Sequence, residues 1–121
     1  GSRRVRSTFD GAWRDRAMAG DPEAVTGLAA EALEPLYAFA LYRVGGDRDL
    51  CEEVVQETLV RAIRDLSQYD PDRAEGDPFG WLTGMARNEI QRVLARRRRG
   101  TSLETLRERM DRELLDVYAR L

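Results

Sequence analysis

Cys51, Val54, Val55, Thr58, Leu59, Ala62, Ile63 and Leu66 follow one another at the three- and four-residue spacing that lines up one face of an α-helix. A strand would need alternation. The same helical rhythm runs through the rest of the chain, where helix formers dominate and β-branched runs are absent. The fold class is therefore all-α. A length of 121 residues suits one hydrophobic core with peripheral segments. The expectation is a compact bundle of about four helices with a helical C-terminal tail.

Local signals set the expected boundaries. A first short helix runs from about Phe9 to Met18, capped by Ser7 or Thr8 and ended by Ala19-Gly20; it buries Trp13 or Phe9 if it docks. Asp21-Pro22-Glu23 starts a second helix, because Asp caps free amides, Pro fits the first turn and Glu favours the positive end of the dipole. That helix carries Val25, Leu28, Ala29, Ala32, Leu36, Ala40 and Val44 and ends at Gly45-Gly46, with a kink or break expected at Pro35. Asp47 or Asp49 caps the third helix. The segment from Ser67 to Pro78, rich in Asp, Pro and Gly, reads as a long loop. Asp77-Pro78 then restarts a helix to about Arg99, burying Phe79, Leu82, Met85 or Ala86, Ile90 and Val93, with Gly100 as its stop. Thr101-x-x-Glu104 opens a weakly amphipathic helical tail. Gly1-Ser2 reads as the remnant of a cleaved tag. The expected divisions are residues 1–19, remnant and first helix; 20–100, the main domain; and 101–121, a linker.

Several function classes are excluded. With no His and Cys51 as the single Cys, zinc sites, nucleophile systems built on His and disulfide frameworks lack their parts. The carboxylates of DPDRAEGD lack the every-second-residue spacing of a calcium loop. Neither metal nor cofactor is expected. No apolar run approaches a membrane span and the N-terminus has no signal-peptide core, so a cytoplasmic protein with no membrane partner is expected.

Charged residues make up 35% of a chain whose formal net charge is −2, so position matters more than the sum. Between Arg87 and Arg99, Arg87, Arg92, Arg96, Arg97, Arg98 and Arg99 face the single acid Glu89. Such a cluster can neutralise phosphates and release counterions, or be a solvated helix end that complements the dipole. On the same helix Trp81 and Asn88 are seven apart and share a face, with Arg92 one turn further: a stacking surface, a base-edge reader and a phosphate contact, or a core Trp beside solvent. The loop with Tyr69, Asp70, Asp72, Arg73 and Asp77 could hold an extruded base or simply connect two helices. On the third helix, Glu53, Gln56, Glu57 and Arg61 surround an apolar Val60, a docking patch or an ordinary solvated face.

In this order the segments GDPEAV at 20–25, LYAFALYRVGGD at 36–47, EEVVQETLVRAIRDL at 52–66, YDPDR at 69–73 and FGWLTGMARNEI at 79–90 resemble region 2 of the extracytoplasmic-function (ECF) sigma factors of the sigma-70 family. The resemblance covers Gly20 to Arg99. It implies a non-enzymatic subunit of RNA polymerase that recognises and melts the promoter minus-ten element. Glu53, Gln56, Glu57, Val60 and Arg61 would dock on the clamp helices of the largest core subunit. Tyr69, Asp70, Arg73, Trp81, Arg87, Asn88, Gln91, Arg92, Arg96, Arg97, Arg98 and Arg99 would contact the single-stranded non-template DNA, with one base turned out into the loop and Trp81 helping to support it. An anti-sigma factor is a further expected partner. The family often has an aromatic at the position of Ile63, Asp at those of Glu53 and Arg92, and Arg at that of Ala95; Arg92 and Ala95 lie on the promoter-facing helix, so an unusual specificity is expected. The tail RELLDVYARL resembles the approach to region 4, a helix-turn-helix, and stops as that domain would begin.

Two other classes compete. One is a helical interaction module that binds polymerase or an anti-sigma factor without reading DNA; binding to single-stranded minus-ten DNA separates it from the first reading. The other is an enzyme using its loop carboxylates, which a lack of hydrolytic activity would remove.

Overall fold

Asp10 accepts a hydrogen bond from the Trp13 amide at 2.9 Å, and this cap starts the helix at Gly11–Met18 in the computed structural model, which describes residues 8–121. Helix α1 spans Gly11–Met18, α2 Pro22–Arg43 and α3 Arg48–Arg64. A 3-10 turn follows at Leu66–Gln68, then a four-residue helix α4, Pro71–Ala74, and α5, Phe79–Arg120. Among the described residues there is no strand. The chain divides into two units, the first ending at Ile90 and the second running from Gln91 to Leu121.

The first cap differs from expectation. Asp10 does the work assigned to Ser7 or Thr8 and sets the start two residues later; Ser7 and Gly1-Ser2, read above as a tag remnant, lie outside the described residues. The other caps follow the sequence, with Asp21 accepting from the Glu23 amide and Asp47 from the Leu50 amide. Pro35 does not break α2. Its ring is solvent-exposed, so the Glu31 carbonyl that loses its amide partner can turn to water, and the helices on either side hold the backbone.

In the first unit α2 packs on α3 and on α1. Its buried seam is Ala24, Leu28, Ala32, Leu36 and Ala40, five residues each four apart. Alternating Ala with Leu brings the neighbouring helix close while each buried Leu contributes about 1.5 to 3 kcal/mol. Opposite stand Cys51, Val54, Val55, Thr58 and Ala62 of α3, and the Cys51 thiol donates to the Tyr37 carbonyl at 3.3 Å. Val25, Ala29, Leu59 and Ile63, expected in the stripes, are only half-buried. On α5, Leu82, Ala86 and Ile90 are buried, which settles the choice between Met85 and Ala86; Val93, in the second unit, is buried as well. Phe9 and Trp13 are both in the core.

Helix α2 revises another expectation: by length and composition it could cross a bilayer, with a mean hydropathy of 1.2 over its most apolar window. In this fold it is a packed helix carrying exposed Glu31 and Glu34, charges that a lipid-facing span disfavours.

In the second unit the helix passes through Gly100. Thr101 donates its hydroxyl to the Arg97 carbonyl and Thr105 to that of Thr101, both at 3.1 Å, so Thr101 sits inside a helix rather than capping a new one. An interior Gly costs only about 1 kcal/mol against Ala, too little to stop a helix without a left-handed residue to close it. Leu103, Leu106, Met110, Leu114, Val117 and Leu121 are all exposed and, at three- and four-residue spacing, form one apolar stripe.

Candidate nucleic-acid interface

Between Ser67 and Pro78 the chain is built more tightly than its polar composition suggests. Asp70 accepts from the amides of Asp72 and Arg73, both at 3.2 Å, and so caps α4 with Pro71 in its first turn. The helix closes on Glu75 and Gly76, at φ 54° and 76°. Gly adopts this left-handed region freely, while for Glu75 it costs about 1 kcal/mol. Tyr69, Pro71, Gly76 and Pro78 are buried.

Tyr69 is the centre of this arrangement and is 1% exposed. Its hydroxyl donates to the Phe9 carbonyl at 2.8 Å, and its own carbonyl accepts from Arg14 Nη1 at 2.8 Å. Burial first, then the charges of Asp77, Asp10 and Asp70, push its pKa from 10 up to about 12, so it remains a donor at any physiological pH. Aromatic rings continue on both sides. Phe9 meets Trp13 edge to face at 5.1 Å, Trp13 meets Tyr69 likewise at 6.0 Å, and Tyr69 faces Trp81 at 5.1 Å with a 37° tilt. Trp13 is itself fixed, its indole N–H donating to the Ala24 carbonyl at 2.8 Å. Helix α1, which the sequence left without a role, thus ties the segment to the core.

Beside these rings lies a hollow of about 360 Å³ lined by Gln68, Tyr69, Asp70, Arg73, Ala74, Gly80 and Trp81. The lack of a side chain at Gly80 leaves one wall open, with nothing within 4 Å of where a Cβ would stand. Of the predicted contacts, this hollow gathers Tyr69, Asp70, Arg73 and Trp81. They are not equivalent: Asp70 and Arg73 are exposed, Trp81 is half-buried, and Tyr69, expected in an open loop, is part of the core. Arg87 and Asn88 are exposed on α5 in the first unit, as are Gln91, Arg92 and Arg96 to Arg99 in the second.

On α3, Gln56 is exposed and Glu53, Glu57 and Val60 are half-exposed. Arg61 is exposed and also reaches Glu89. Its Nη1 lies 3.7 Å from the carboxylate of Glu89, which is 2% exposed. The lone acid of the arginine-rich stretch is therefore a buried charge facing α3. Its isolation among arginines was the available signal.

Sequence reasoning also missed an apolar groove between α2 and α3, about 790 Å³, with Leu33, Tyr37, Leu41, Val55 and Leu59 on its walls and Glu34, Glu52 and Gln56 among its lining. Leu33, Tyr37 and Leu41, each four apart, form a second stripe on α2 that could have been read. Gln56 joins this groove to the predicted docking face. Among the described residues no group of three or more His, Cys, Asp or Glu is placed to hold a metal ion.

Residues 29–100 match the family model for sigma-70 region 2. The ECF RNA polymerase sigma factor BldN of Streptomyces coelicolor is 35% identical over 77 residues, which is 63% of this chain and 28% of that protein. The chain thus spans little more than a quarter of that relative's length. No solved structure matches.

Proposed function

The chain belongs to the sigma-70 family through its region 2, and from that premise we propose that it is the promoter-recognising part of an ECF sigma factor, a non-catalytic subunit of RNA polymerase working in the cytoplasm at the nucleoid. It docks on the clamp helices of the core enzyme through Glu53, Gln56, Glu57 and Val60, with the adjoining groove as added apolar surface. It holds the minus-ten element by its non-template strand in single-stranded form. An anti-sigma factor is a partner this reading admits.

The observation that carries the DNA half is the hollow beside Trp81. An extruded base finds there an indole to stack on, an acceptor-only carboxylate at Asp70, an amide at Gln68 and a guanidinium at Arg73, the groups needed to select a base by its edge. Tyr69 holds the floor from below and makes no base contact of its own. Asn88 reads a base edge, while Arg87, Gln91, Arg92 and Arg96 to Arg99 hold the backbone. Melting needs no covalent chemistry, because a surface that binds the opened strand better than the duplex shifts the equilibrium by that difference.

The test combines co-purification with core polymerase and binding to non-template oligonucleotides varied one base at a time. The chain is expected to bind polymerase, and Asn88→Ala to lose about 1 to 3 kcal/mol at one cognate base and less elsewhere. An equal loss across the panel would make Asn88 a structural or phosphate contact. Polymerase binding without any affinity for minus-ten DNA would instead favour a regulator that does not read DNA.

A further inference from the structure

Helix α2 ends on an exposed cluster that, Arg87 apart, lies outside the surfaces described above. The Arg43 guanidinium carbon lies 3.7 Å from the centroid of the Phe39 ring, and that of Arg87, arriving from α5, lies 5.4 Å from the same centroid. Phe39 is held in turn by Phe79, edge to face at 6.5 Å. Arg43 donates one N–H to the Phe39 carbonyl at 3.1 Å, which fixes its stem. Next to it Tyr42 is 84% exposed.

The cluster is notable for what it gathers. A chain with 22 acidic residues has none between positions 35 and 46, nor between 78 and 88, the two stretches that build this surface. Neither Arg43 nor Arg87 forms an ion pair among the described residues. An aromatic ring attracts each cation but does not neutralise it. Two planar donor forks against one ring, without a carboxylate, offer N–H groups to the phosphate oxygens of an incoming backbone. Arg87 adjoins Asn88, so the cluster continues the proposed promoter-facing surface onto a different helix.

We propose that Arg43, with Arg87 and the ring of Tyr42, forms a second backbone-binding site for single-stranded DNA at the C-terminal end of α2. Arg43 and Arg87 grip a phosphodiester, and Tyr42 offers a stacking face to an adjacent base. This rests on the DNA-binding reading above. The site adds affinity without sequence preference, because the phosphate is the same at every step.

Arg43→Gln, Arg43→Lys and Tyr42→Ala in the full chain are compared with the parent by anisotropy on single-stranded oligonucleotides from 50 mM to 1 M salt, with circular dichroism to verify folding. Loss of one single-strand phosphate contact lowers the log-log salt slope by about 0.7 and, between those limits, corresponds to about an eightfold loss at 50 mM. Arg43→Gln should show both changes alike on every sequence, Arg43→Lys should keep most of the slope, and Tyr42→Ala should weaken binding with the slope unchanged. Parent-like slope and affinity in a folded Arg43→Gln overturns this site alone. So does a loss that appears only in polymerase binding, which would assign the arginines to an acidic protein surface. A parent chain that binds no single-stranded DNA overturns both this site and the reading it extends.

Discussion

Replacing Tyr69 by Phe removes one hydroxyl beneath the proposed base pocket and leaves the ring stack in place. That hydroxyl donates to the Phe9 carbonyl at 2.8 Å from a side chain 1% exposed. A buried acceptor left unmatched costs about 1 to 3 kcal/mol, so Tyr69→Phe is expected to be less stable by that amount at neutral pH. The pKa raised from 10 to about 12 adds a second signature. Folding favours the neutral phenol, so its contribution is complete below pH 10 and lost as pH rises to 12. Two pKa units correspond to about 2.7 kcal/mol. The Phe variant has no such proton, so the stability gap narrows over that window. The Cys51 thiol, whose pKa is raised by burial and then by Glu52, loses its contribution with rising pH in the same sense but in both proteins. The chain contains no lysine, which leaves its tyrosines and its one cysteine as the side chains that titrate there. Urea unfolding followed by circular dichroism at intervals from pH 7 to 12 measures both effects. Equal stability at pH 7, or a gap that stays constant from pH 9 to 12, would refute the reasoning.

Replacing Arg96 to Arg99 by Ala is expected to weaken binding to all single-stranded sequences alike and, for about three phosphate contacts, to lower the salt slope by about two units; a loss confined to one sequence contradicts that role. Gln56→Ala with Glu57→Arg should reduce co-purification with core polymerase while leaving the unfolding midpoint unchanged, and unchanged affinity would remove that docking face. Arg61→Ala behaves differently. It should lower stability by about 1 kcal/mol, allowing for solvent at its half-exposed guanidinium, because Glu89 loses a compensating charge; an unaltered melt with reduced polymerase binding would return Arg61 to the docking patch.

The all-helical class and most boundaries were written in the sequence, because they follow from interactions within one turn. Asp21 and Asp47 cap amides two and three residues on, and the seam of α2 repeats every four. The arginine run and the exposure of Asn88 were equally legible, since a solvated helix face needs no distant partner. Gly100 misled because a helix interior tolerates one glycine when no left-handed cap follows. What only tertiary structure decided are contacts between residues far apart in the chain. Tyr69 is a core residue because its hydroxyl reaches Phe9, 60 positions away; nothing in the polar sequence around it signals that. The buried Glu89 is faced by Arg61 of another helix, and the hollow beside Trp81 is backed by a row of rings, Phe9, Trp13, Tyr69 and Trp81, drawn from separate stretches of the chain. Periodicity fixes which face of a helix is apolar, but the partner that covers the face is set by packing, where each burial depends on all the others.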